Sequence, residues 1–426
     1  MRVLLVNKFH YRKGGAETYY FALAEGLRAL GHEVFFFAME DPKNEPCEQS
    51  RYFVSTRDYN GPTSVRQKIE AATSLIYSGE AKRKFEALCE DVKPDVIHMN
   101  LVHRQITLSI LDAPYVKKNR TPVVWTAHDC IAVCPNYTML DGAGDVCEDC
   151  IGGHFLSCLK KKCVKGSTAK SALAVVEAKY LRASKAYTKI DRIICPSQFL
   201  GSKLVEGGFP SSQLVWMPNF LTCNVIADTN DAPEKGLGAP YFIYFGRLSR
   251  EKGVDVLLRA FTQAQEHLPE GLKLAIVGDG PVRPELESLV SKSGLNERVM
   301  FFGHQSGLEL RGLIKGGLFS VIPSICYENM PFSIAESFLA KTPVLGSRVG
   351  GIPEMVSDGK TGFTFTPGNA SSLASLLVEA ASLSEQAYRE MQCSCFVYAE
   401  EHCSQDKYMN NIVDLYSNLI ETKKES

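Results

Sequence analysis

Short, almost wholly apolar runs recur along this chain with amphipathic stretches between them, and halfway along the series starts again. The first half holds "VLLVN" from Val3, "GHEVFFFA" from Gly31, "DVIHMN" at 95–100, "PVVWTAHD" at 122–129 and "RIICPS" at 192–197. The second holds "YFIYFG" at 241–246, "KLAIVGDG" at 273–280, "VMFFG" at 299–303, "LFSVIPS" at 318–324 and "TPVLGS" at 342–347. Runs without polar alternation suit strands buried on both faces, the condition of a parallel sheet covered by helices. Parallel neighbours need crossover helices, so each half is expected to be a doubly wound α/β domain, with its first helix from about Thr18 to Leu30. Ligands of such sheets gather outside the strand C-termini, and the two domains are expected to face a central cleft.

With 426 residues, two domains are the expected number. The polar, Pro- and Gly-rich "DTNDAPEKGLGAP" at 228–240 marks a linker between domains at 1–227 and 241–403, with a terminal helix at 404–426. A net charge of −1 gives no general attraction to nucleic acid, so none is expected as a partner. No apolar run has the length of a membrane span. The opening "MRVLLVNKF" lacks the length and cleavage site of a signal peptide, so a soluble cytoplasmic protein is expected.

Every candidate site lies at the end of an expected strand. "CYENMPFSIAESFLA" sets Glu328 and Glu336 around Pro331, which suits the first position of a helix. The two carboxylates then bracket a helix N-terminus over roughly 10 Å, the scale of a sugar diphosphate with its ribose. Exposed amides and the positive dipole end would meet the phosphates. The plainer alternative is a capped surface helix with two solvated acids. "FGRLSREKG" puts Arg247 and Lys252 between a strand and a helix, where two cations can neutralise a diphosphate. "NKFHYRKGGAE" supplies Gly14 and Gly15, whose bare backbone allows close approach of an anion. "VGDGP" at 277–281 is a further Gly-rich turn, and "WTAHD" places His128 and Asp129 at a strand end. His98 and His103 flank another strand end and are read as structural.

Taken in order with "GGIPEMVSDGKTGF" at 350–363, these motifs resemble the retaining nucleotide-sugar glycosyltransferases of family 4 over nearly the whole chain. The resemblance implies the GT-B fold, with an acceptor-binding domain at 1–227, a donor-binding domain at 241–403 and the last helix crossing back to the first. It implies that Arg247 and Lys252 bind the donor diphosphate, that Glu328 contacts the transferred sugar and that Glu336 holds the ribose hydroxyls. Gly14 and Gly15 match a loop facing the donor phosphates, and His128 a histidine that reaches the donor sugar. The family often has glycine where this chain has Pro331, which leaves the amides of Phe332 and Ser333 to meet the phosphate. The implied reaction moves a sugar from a nucleoside diphosphate sugar to the hydroxyl of a glycan or lipid-linked acceptor. It retains configuration, needs no metal or other cofactor for catalysis, and builds a cell-envelope or exported polysaccharide. A sugar-nucleotide epimerase, or a nucleotide-binding or zinc-stapled interaction protein without catalysis, are the alternatives.

Two features lie outside that pattern. Cys130, Cys134, Cys147, Cys150, Cys158 and Cys163 crowd into one insert. The Cys147-x2-Cys150 spacing suits a structural zinc, held with Cys134 and Cys163 or with Cys158. Free buried thiols or a reversible disulfide need no ion. Residues 159–190 carry nine Lys or Arg against Glu177 alone, and "SALAVVEAKYLRASKAY" has helical periodicity. A basic amphipathic helix there would bring peripheral contact with an anionic membrane, and a solvated charged face is the plainer alternative.

Overall fold

A computed structural model describes residues 1–56 and 72–425. The chain divides into two compact units, Met1–Met217 together with the chain from Asp406 on, and Pro218–Gln405. The first unit is built on β1 (Arg2–Val6), β2 (Glu33–Phe37), β3 (Val96–Met99), β4 (Val123–Thr126), β5 (Arg192–Cys195) and β6 (Leu214–Trp216). Their order is β2-β1-β3-β4-β5-β6, and all pairings are parallel. The second unit holds β7 (Tyr241–Phe245), β8 (Lys273–Val277), β9 (Val299–Gly303), β10 (Phe319–Ile322), β11 (Val344–Ser347) and β12 (Gly362–Phe365). These run in the order β12-β11-β10-β7-β8-β9, again all parallel.

The uninterrupted apolar runs are what make these sheets central. Val3, Leu4, Leu5 and Val6 of β1 have no exposed surface, and all five residues of β7 are buried. Helices cover both faces, as a parallel sheet requires. The direction of strand succession reverses between β1 and β3 in the first unit, and between β7 and β10 in the second. Loops diverge at such a reversal and leave room for a ligand at the strand C-termini.

The final helix, Gln405–Glu425, joins the first unit. Met409 lies so close to Gly26 that a Cβ there would stand 2.5 Å from its Sδ. The buried Tyr408 and Tyr19 hydroxyls are 2.5 Å apart, and Tyr19 Oη is 3.0 Å from Thr126 Oγ1. Tyr416 Oη hydrogen-bonds His98 Nδ1, and His98 Nε2 is 2.7 Å from Thr126 Oγ1. Burial pushes the His98 pKa down to about 3, so the ring is neutral, and His98 is structural as expected.

Several boundaries differ from those expected. The unit boundary falls at Met217/Pro218, ahead of the linker expected at 228–240. Residues Cys223–Asp231 form a helix whose Val225 and Ile226 pack on Ile322, Met330 and Ile334 of the second unit. Farther along the expected linker, Ala232 is buried and the Lys235 amide donates to Gly312 O at 3.0 Å, so this segment is anchored in the second unit. The first helix is Gly15–Ala29, three residues earlier than expected, which makes Gly15 helical and Gly14 its N-cap. Strands β6 and β12 were not anticipated. β6 is a three-residue edge strand with an exposed Trp216, and β12 begins on the last two residues of the motif "GGIPEMVSDGKTGF".

Candidate functional site

In the second unit, the loops after β7 and β10 flank the reversal point. Arg247 is exposed in the first of them, and Tyr244 Oη donates to its carbonyl at 2.8 Å. Lys252 ends the short turn Arg250–Lys252, just ahead of the helix Val254–Ala264. Lys252 Nζ donates to Glu328 Oε1 at 2.6 Å, and Ser324 Oγ donates to the same oxygen at 2.6 Å. Both bonds fall on Oε1, and among the described residues Oε2 has no partner. Burial works against the Lys252 ammonium, but the Glu328 carboxylate outweighs it and the Lys252 pKa is raised. The Ser324 carbonyl is itself fixed by a 2.6 Å bond from Ser347 Oγ.

The "GGIPE" turn grips the backbone of Glu328. Gly351 N donates to Glu328 O at 2.7 Å, and Gly350 sits at φ 61° with its Cα against the same carbonyl. A Cβ on Gly350 would stand 2.3 Å from that oxygen, so only glycine fits. "VGDGP" has a supporting role of the same kind, since a Cβ on Gly278 would stand 1.9 Å from Gly246 O, beside Arg247. Pro331 is the N-cap of the helix Phe332–Leu339, not its first residue as expected. No side chain caps this helix, nor those beginning at Gly15 and Val254. Helices begun at Gly79, Thr168, Gln198, Ala370 and Glu385 are capped by Ser or Asn oxygens. Uncapped first-turn amides, those of Phe332 and Ser333 among them, suit an anion. Glu336 follows one turn later and is clamped by the buried Arg311, with Nη1 2.9 Å from its Oε2.

In the first unit, the reversal point between β1 and β3 lies among the loop ending at Gly14 and the residues after Met99. Gly14 and Gly15 are both exposed, and Gly14 is extended, at φ −168°, with room for a side chain. Its backbone alone therefore does not demand glycine. His128 packs edge-on against Tyr19 and its Nε2 is 2.9 Å from Asn100 Oδ1. Desolvation pushes its pKa down to about 3, so the ring is neutral. Asp129 beside it is raised to about 6, chiefly by burial, against the opposing pull of the Ile131 amide, Arg104 and Lys8. Asn100 Nδ2 is buried and has no hydrogen-bond partner among the described residues, an orphaned donor next to His128. Asn100 and Arg311 were not singled out in the sequence. An asparagine closing a strand in "DVIHMN", as in "VLLVN", is the signal that was present for the first.

In the cysteine insert the thiols are largely buried. Among the described residues, no three His, Cys, Asp or Glu side chains gather to hold a metal ion. Cys147 Sγ accepts from Lys161 Nζ at 3.2 Å. Cys150, Cys158 and Cys163 pack with Phe155, Val164, Ala174 and Val175 in an apolar cluster. Burial pushes the Cys134 thiol up to about 11 and Cys150 to about 12, so both stay protonated. Cys134, Cys147, Cys150 and Cys163 lie near enough to one another to interact electrostatically, and each thiol is free. The basic helix Thr168–Ala183 differs from expectation. Its apolar stripe, Ala174, Val175 and Leu181, is buried within the unit, and Glu177 pairs with Arg104 Nε at 3.2 Å. Lys160, Lys161, Lys162, Lys165, Lys170 and Lys179 are exposed, with Val176 and Tyr180 outward. No described helix is long and apolar enough to cross a membrane.

Comparison with known proteins agrees with this division of the chain. Residues 13–224 match the family model Glycosyltransferase Family 4, and residues 227–392 match Glycosyl transferases group 1. The alpha-D-kanosaminyltransferase of Streptomyces kanamyceticus is 33% identical over 30% of this chain and 33% of its own length. Alignments with the first relatives span about a third of their lengths, 33–35%. Longer but weaker is the match to the alpha-monoglucosyldiacylglycerol synthase of Acholeplasma laidlawii, 23% identical over 82% of this chain and 81% of that one. Among solved structures, Anabaena Alr3699/HepE in complex with UDP and glucose has a TM-score of 0.67 at 18% identity, covering 98% of this chain and 100% of that one. The two sheets thus have the GT-B fold.

Proposed function

The chain belongs to the glycosyltransferases of the family 4 and group 1 type through both of its halves, and on that premise we propose that it transfers a sugar from a nucleoside diphosphate sugar to an acceptor hydroxyl with retained anomeric configuration. The observation that carries this is the Lys252–Glu328 pair, 2.6 Å long, at the reversal point between β7 and β10. There a cation and a carboxylate, whose Oε2 has no partner among the described residues, precede a helix whose first turn no side chain caps. In the transition state the leaving diphosphate gains negative charge while the sugar becomes oxocarbenium-like. Arg247, Lys252 and the uncapped helix end stabilise the first, with no metal required. Glu328 Oε2 takes a hydroxyl of the sugar and fixes its orientation. Glu336 holds the ribose. The leaving phosphate oxygen accepts the proton of the incoming hydroxyl on the same face.

The relatives' names support an acceptor that is a glycan or a lipid-linked sugar, in cell-envelope or exported polysaccharide synthesis. The exposed lysines of 160–179 support a cytoplasmic protein held peripherally at an anionic membrane by charge. Glu328→Ala is the test of the central assignment. It should abolish transfer while nucleotide affinity, measured by calorimetry, stays close to wild type. Unchanged turnover refutes the assignment, and release of an epimerised sugar without transfer would redirect it to an epimerase.

A further inference from the structure

We propose that Arg311 is a positioning residue for Glu336 and thereby sets a preference for ribose over deoxyribose in the bound nucleotide; this rests on the assignment of Glu336 to the ribose. Arg311 lies on the helix Gly307–Lys315 and is 6% exposed. Its fork spans the carboxylate, with Nη1 2.9 Å from Oε2 and Nη2 3.3 Å from Oε1 of Glu336. Its Nη2 donates to Oε1, whereas Nε and Nη1 are buried without a hydrogen-bond partner among the described residues and Nη1 meets Oε2 as an ion-pair contact, so the guanidinium has been taken out of water with this one carboxylate as its salt-bridge partner among those residues. Such a pair adds little net stability over apolar residues of the same volume. What it supplies is orientation: a planar cation with one hydrogen bond to Oε1 and a close ionic contact at Oε2 restrains the plane of the carboxylate. The lone pairs turned away from the fork then have set directions, and a vicinal diol is the chemistry that two such directions fit. Glu336 begins the second turn of the helix Phe332–Leu339, so the acceptor is held at a constant distance from the first-turn amides.

The test is calorimetric binding of UDP and GDP, each in ribo and 2′,3′-dideoxyribo form, to the full chain in wild type, R311M, R311K and E336Q. Wild type should prefer the ribo form of its nucleotide by roughly 10- to 150-fold, the range for hydrogen bonds to a charged acceptor. R311M should reduce that preference to within about threefold while dideoxy binding is unchanged, a selectivity loss that general loosening would not produce. R311K, which offers a point charge but no fork, should fall between. R311M or R311K with the full wild-type preference overturns the proposal if E336Q has lost it. E336Q with the full preference overturns the ribose assignment itself, and the inference with it. If R311M fails to fold, R311K decides by the same criterion.

Discussion

Gly350→Ala isolates the dependence of turnover on the backbone of Glu328. The new Cβ would stand 2.3 Å from Glu328 O and 2.7 Å from Glu328 N, against an ordinary contact of 3.4 Å or more. Relief requires the two segments to part by roughly 1 Å, and both are backbone, so no side-chain rotation can provide it. A displacement of about 1 Å in a positioned group costs on the order of 100-fold in rate, which is about 2.7 kcal/mol of barrier. The left-handed φ adds a stability cost of about 1–2 kcal/mol for any residue with a Cβ. For a unit of this size that is a fall of a few degrees in Tm. Gly359→Ala separates the two effects, because Gly359 has φ +75° with nothing within 4 Å. It should lose similar stability and keep its turnover. Single-turnover transfer assays with calorimetric melting would show the split. Wild-type turnover in Gly350→Ala, or equal inactivity in Gly359→Ala, refutes the reasoning.

Lys252→Met leaves Glu328 with Ser324 alone and removes one cation from the proposed diphosphate site. Turnover should drop about 10²- to 10³-fold, as for loss of one stabilising donor, and an unchanged kcat/KM would count against it. Tyr408→Phe removes a hydroxyl 2.5 Å from buried Tyr19 Oη, and should cost about 1–3 kcal/mol in urea unfolding of the first unit. No shift in the midpoint would mean that the hydroxyl pair adds nothing to stability. His128 is neutral in the fold with a pKa near 3 and reverts to an ordinary imidazole on unfolding. The unfolded state therefore binds more protons below about pH 6.5, and stability is lost as pH falls. In His128→Asn that pH dependence should weaken by about one proton, or roughly 2 kcal/mol between pH 6.5 and 5. Parallel pH profiles of the two proteins would contradict the assignment of a neutral ring.

Much of the fold was legible because its strands carry their own signal. "YFIYF" can lie only where both faces are covered, and it became β7. Local signals failed where stability comes from neighbours. β6 has three residues, and the Cys223–Asp231 helix, packed through Val225 and Ile226, runs into the first four residues of the expected linker 228–240. At the site, Arg247, Lys252, Glu328 and Glu336 were legible from type and order, and the structure brings Lys252 and Glu328 together across 76 positions of chain. Arg311 was invisible because its partner is 25 residues away on another helix, and nothing about an arginine in "LELRGLIK" announces burial.

Because the helix Gln405–Glu425 belongs with the opening part of the chain, the order of synthesis and the order of completion are reversed. Tyr19, His98 and Thr126 leave the ribosome with their eventual partners Tyr408 and Tyr416 not yet made. The intervening 188 residues, 218–405, take about 10–40 s to translate at ordinary rates. Throughout that interval the nascent first unit lacks its last helix, and when the interval ends the contiguous second unit has every residue it needs while the first still does not. The portion of the polypeptide made first is thus the last to close.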